Sequence, residues 1–109
     1  MGTDAGMNWY GVRCVFEWAA SGGRSYEERI TLWQASSADD AIARAEAEAE
    51  TYATETGVAY LGLAQSYRLG GDGVPGAGAE VFSLLRDSTL EPDAYLDAYF
   101  DSRTERQQR

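Results

Sequence analysis

The sequence predicts an α+β fold: a four-stranded antiparallel sheet in the order β-β-α-β-β, with one long helix on a face and a short C-terminal helix. Three observations lead there. Residues 9–18 and 25–35 alternate in polarity on a period of two, as half-buried strands do. A stretch opening at Ala38 repeats its apolar residues on a helical period instead. Clusters of Gly and Ser fall between these segments, where turns are needed. A chain of 109 residues with 44% hydrophobic and 12% aromatic content is one globular domain. The expected division is a disordered N-terminus at 1–7, a single domain at 8–101 and a flexible tail at 102–109.

Each element has its own justification. In the first strand Tyr10, Val12, Cys14, Phe16 and Trp18 point one way, and Trp9, Gly11, Arg13, Val15 and Glu17 the other. Ala19 to Gly23 is a turn, and Ser25 to Ala35 a second strand, with Ile30 and Leu32 inward, completing a hairpin. Ser37 with Asp40 three residues on resembles a capping box, and acids in a first turn suit the helix dipole. Ala38, Ile42, Ala45, Ala49 and Tyr52 form a thin stripe that lets the helix sit close on the sheet, and Gly57 ends it. Val58 to Leu69 reads as a third strand, with Leu61, Leu63, Tyr67 and Leu69 on one side. Gly70 to Gly78 is a loop and Glu80 to Arg86 a fourth strand. Pro92 opens a short helix carrying Tyr95, Leu96, Tyr99 and Phe100.

Composition removes most chemistries. The net charge is −9, and all nine bases are Arg; there is no Lys and no His. Histidine-based triads, lysine Schiff bases and His-containing metal sites are therefore excluded. Cys14 has no disulfide partner in the chain and sits on an apolar strand face, where a cysteine is a small hydrophobe. Gly71-Asp72-Gly73-Val74-Pro75-Gly76 matches G-x-G-x-x-G by letter, but a pyrophosphate needs a helix N-terminus directly afterwards, and a β-rich segment follows. No D-x-D-x-D-G loop is present for Ca²⁺. The sequence thus points to no catalytic residues, no cofactor and no metal: not an enzyme.

An acidic chain is repelled by phosphate backbones and anionic lipid, so the expectation is no nucleic-acid and no membrane partner. No apolar run is long enough to span a bilayer and no secretory pattern opens the chain, so a cytoplasmic location is expected. What remains is surface. The pattern puts Trp9 and Trp33 together on the sheet face away from the long helix, to be covered by the C-terminal helix with Tyr95 and Tyr99 or by another molecule. Glu46, Glu48 and Glu50 make an acidic helix face, solvated or docking a basic protein. The leading reading is an acidic, non-catalytic protein-binding module, immunity-like or regulatory toward a basic partner. The alternatives are a structural homo-oligomer pairing through the Trp9/Trp33 face and, remotely, a small-molecule-binding domain.

Trp9-Tyr10-Gly11-Val12-Arg13 leading to Phe16-Glu17, the strand Tyr26-Glu27-Glu28-Arg29-Ile30, the helix start at Ala38-Asp39-Asp40-Ala41-Ile42, and Gly78-Ala79-Glu80-Val81-Phe82-Ser83 resemble the bacterial domain of unknown function 4288 family. Leu90-Glu91-Pro92-Asp93-Ala94-Tyr95-Leu96 is similar to the segment that ends its actinobacterial branch. The resemblance spans roughly residues 8–100, and the chain departs from it in the Gly-rich stretch 70–78, where a shorter acidic turn is expected. It implies a compact α+β domain and brings no activity with it. Small acidic domains of this kind occur beside toxin genes as immunity proteins, which is analogy only.

Overall fold

The computed structural model describes residues 6–20, 22–71 and 73–100. Residues 1–5 of the expected disordered N-terminus, Ser21 of the first turn, Asp72 of the Gly-rich loop and the expected tail 102–109 lie outside the described residues. Two thirteen-residue strands, β1 (Asn8–Ala20) and β2 (Gly23–Ala35), pair antiparallel as a hairpin. Helix α1 (Ala38–Thr56) follows, then β3 (Ala59–Arg68) and α2 (Pro92–Tyr99). β3 returns to the other side of β1, so the strand order is β2-β1-β3. The fold is α+β, the described residues forming a three-stranded antiparallel sheet and two helices.

The ends of α1 follow from its sequence. Ser37 accepts a hydrogen bond from the Asp40 N–H at 3.0 Å, and Asp40 in turn accepts from the Ser36 N–H at 3.0 Å. Gly57 takes the left-handed conformation at φ 75°, which lets its N–H close on the Ala53 carbonyl. Ala41, Ala45, Ala49 and Ala53 form one buried ridge. It lies over Tyr10, Val12, Cys14 and Phe16 of β1, and Val12 and Phe16 are the largest fully enclosed side chains. Phe16 packs edge-on to Tyr52 of α1 at 5.0 Å and tilted against Tyr60 of β3 at 5.5 Å.

Two expectations are corrected. Glu80 to Arg86 forms no fourth strand: among the described residues no backbone–backbone hydrogen bond involves residues 80–89. The segment alternates like a strand, yet a strand exists only where a ladder partner receives its N–H and C=O groups. Its first residues, through Phe82, lie instead as coil against the sheet face opposite α1, at Gly11 and Tyr67.

The second correction concerns faces. The ladder closes on the Ala20–Gly23 pair, so Tyr10 stands opposite Trp33 and Trp9 opposite Gln34. Directly paired residues share a face, and an even-residue turn sets the even numbers of β1 beside the odd numbers of β2. Trp33 is therefore on the α1 side with Tyr10, packed against the core, while Trp9 is on the opposite side. There is no shared Trp9/Trp33 face. By the same parity Ile30 and Leu32, expected inward, lie on the open face, 38% and 41% exposed.

β3 carries a bulge. Cys14 pairs with Ala64 and Phe16 with Tyr60, so three residues, 61–63, oppose Val15 alone. Gly62 supplies the positive φ of 80°. Leu61 and Leu63 flank it, both exposed.

Phe16→Ala is expected to cost about 3–5 kcal/mol, as for a fully buried aromatic, whereas Leu85→Ala should change stability by less than about 0.5 kcal/mol. Urea unfolding of the two variants beside the wild type checks the contrast.

Candidate interaction surface

Two surfaces carry the chemistry of this chain: the flank where α1 meets β2, and the open face of the sheet with the C-terminal arm. At the flank, β2 turns Glu27 and Arg29 toward α1. The Arg29 guanidinium makes a two-pronged bond to Glu48, at 3.0 and 3.2 Å, and lies 3.8 Å above the Tyr52 ring. The Tyr52 hydroxyl donates to Glu27 at 2.7 Å, and the Trp18 indole N–H donates to the same oxygen at 3.0 Å. On the other flank Tyr60 donates to Glu46 at 2.6 Å. Two of the three acids expected on a free helix face, Glu46 and Glu48, are thus held by this chain's own strands, while Glu50 faces solvent.

These contacts set the proton affinities. Burial, and then donation to Glu46, raise Tyr60 far above the usual tyrosine range. Burial followed by the bond to Glu27 raises Tyr52. Burial pushes the Cys14 thiol up as well, so it is an enclosed thiol rather than an activated one. Among the described residues no group of three Asp, Glu, Cys or His side chains is placed to hold a metal ion.

The open face is built around Gly11. A side chain there would put its Cβ 2.8 Å from the Val81 carbonyl oxygen, so the missing Cβ is what lets residues 79–83 cross the sheet at that point. Phe82 is then fixed edge-on to Tyr67 at 5.0 Å and beneath the Arg13 guanidinium at 5.3 Å. Tyr67, Arg68, Glu80, Val81, Phe82 and Ser83 line a shallow cleft of about 200 Å³. Small-molecule sites are usually larger, about 300–1,000 Å³. The Gly71–Gly76 stretch leads into more coil, and no helix N-terminus follows it until Pro92.

Beyond Phe82 the chain leaves the sheet. No residue of α2 comes within 8 Å, Cα to Cα, of any strand or of α1. Tyr95 and Tyr99 pack on each other at 4.8 Å, with Arg86 stacked on Tyr99 at 4.1 Å and bonded to the Tyr95 hydroxyl at 3.1 Å. That cluster is the helix's internal support. Leu84, Leu85, Leu96 and Phe100 are left exposed, Leu85 by 95%. Of the two covers expected for the sheet face, the one by the chain's own C-terminal helix does not form. Among the described residues no helix is long and apolar enough to cross a membrane.

The structure therefore separates the predicted site residues. Trp9 lies on the open face, Trp33 under α1, Glu46 and Glu48 in the flanks, Glu50 in solvent, and Tyr95 and Tyr99 on the detached helix. The sequence reading passed over Gly11 as a crossing point, and Leu84 and Leu85 as unpartnered. The adjacent leucines were a usable signal, since neighbours in extended chain cannot bury against one face. Comparison with protein-family models, curated proteins and solved structures finds no match to this chain.

Two outcomes are expected here. Gly11→Ala should free residues 79–83 from the sheet with β1 still paired, read as faster amide exchange and proteolysis confined to that segment. Tyr60 and Tyr52 are raised in the folded state, so their contribution is complete below the free-tyrosine value of 10.0 and is lost as pH rises through their folded values. In an alkaline titration both phenolates should appear above the free-tyrosine value, that of Tyr60 together with loss of the circular dichroism signal. Ionisation of all seven tyrosines near 10 in a still-folded protein would contradict it.

Proposed function

We propose that this chain is a non-catalytic protein-binding module that engages its partner through the open sheet face and the C-terminal arm. One observation carries the reading. The arm ends in an amphipathic helix no residue of which comes within 8 Å, Cα to Cα, of a strand or of α1, and whose Leu96 and Tyr99 are exposed, while the sheet exposes Tyr26, Ile30 and Leu32. Exposed apolar surface of this extent marks an interaction site.

The reading places binding on apolar surface and gives the charge a different part. Glu46 and Glu48 are occupied within the chain, so the excess of acids acts at a distance, speeding the approach of basic proteins and opposing nucleic acid and anionic lipid. An immunity-like or regulatory module toward a basic partner fits this arrangement, by analogy with other small acidic domains.

Cross-linking in the native host followed by affinity capture tests it. The wild type should enrich a protein partner, a further copy of the chain included, and Leu85→Asp should reduce that capture at least tenfold at unchanged expression. A monomeric protein that captures nothing would rule the reading out.

A further inference from the structure

We infer that two copies of this chain exchange their C-terminal arms, residues 84–100 of each lying on the open sheet face of the other. The inference rests on the protein-binding reading above and names the partner. Both halves of one contact are present in a single chain and neither is satisfied within it. The arm presents Leu85, Leu90, Leu96, Tyr99 and Phe100, adjacent Leu84 being unable to bury against the same face; the open face presents Tyr26, Ile30 and Leu32, with Leu61 and Leu63 exposed where β3 bulges, each next in the chain to a core-packed residue, Tyr60 or Ala64.

Area supports a second copy as the occupant. With roughly 150–250 Å² for each aromatic side chain and somewhat less for each aliphatic one, the exposed fractions leave roughly 500 Å² on the arm and roughly 400 Å² on the face. Together that is on the order of the 800 Å² per partner that a stable dimer buries. A two-fold exchange uses both surfaces of both copies at once, and closes. The local structure also allows it. Residues 79–83 are anchored at Gly11 and Phe82, which sets the departure point of the arm, while the backbone of residues 80–89 is committed to no ladder of its own.

The test uses the full chain, with light scattering over a concentration series to the solubility limit. The wild type should be a dimer. Leu85→Asp on the arm and Leu63→Asp on the face should each weaken dimerisation at least tenfold, with unchanged circular dichroism; Tyr26→Asp, at another exposed position on the face, replaces Leu63→Asp if that variant unfolds. Mixing the arm variant with the face variant should then restore a dimer that native mass spectrometry identifies as mixed. One intact arm meets one intact face only in the mixed pair, so a face-to-face dimer would show no such rescue. Added salt should tighten the dimer, since each copy carries −9. Failure of the mixture to pair overturns the exchange. A wild type that stays monomeric but captures a different protein through Leu85 also overturns it and leaves the protein-binding reading standing; a monomer that captures nothing removes both.

Discussion

Four alanines one helical turn apart determine how close α1 comes to the sheet. Ala41, Ala45, Ala49 and Ala53 present no side chain beyond a methyl, so the helix axis settles low over β1. There it encloses Val12 and Phe16 completely. A single helix covers the centre of the sheet and approaches all three strands, leaving their outer sides to other contacts. The rest of the molecule adjusts to that limit. Apolar side chains fill the centre, and at the margins long polar ones reach up from β2 and β3 to grip the helix sides.

The marginal contacts explain why a charged strand can face a core. Arg29 lays its aliphatic stem and guanidinium plane along Tyr52 and completes its hydrogen bonds on Glu48. It is partly solvated, so the pair escapes the full cost of desolvation that a sealed ion pair carries. Glu27 receives both Tyr52 and Trp18, leaving neither aromatic donor without a partner. Together these contacts fix the rotation of α1, which the alanine ridge alone leaves free.

Much of this was legible in the sequence, and the misreadings have identifiable causes. The β1 face, the Ser37 cap, the Gly57 stop and the short helix at Pro92 all rest on local rules that the structure follows. Trp33 was misplaced because the face of β2 depends on the parity of one turn, and the more apolar set, Ile30 and Leu32, appeared the natural inner one. Alternation alone cannot reveal that Glu27 and Arg29 will find Tyr52 and Glu48 above them. Residues 80–86 failed as a strand for a related reason: their pattern specifies an extended conformation, while a ladder needs a partner edge that no local signal supplies. The interaction surface was legible only in outline. Tyr95 and Tyr99 were singled out, but the detachment of their helix from the sheet is a property of the whole chain.

The bulge opposite Val15 has a consequence for how the protein avoids uncontrolled growth. β2 and β3 are both free edges, and a regular free edge is a template on which further strands can stack without limit. Three residues crowded against one, with Gly62 turned to positive φ, break the spacing of β3. An incoming strand could match only a few hydrogen bonds before losing step. Fibril-like addition is obstructed along the β3 edge.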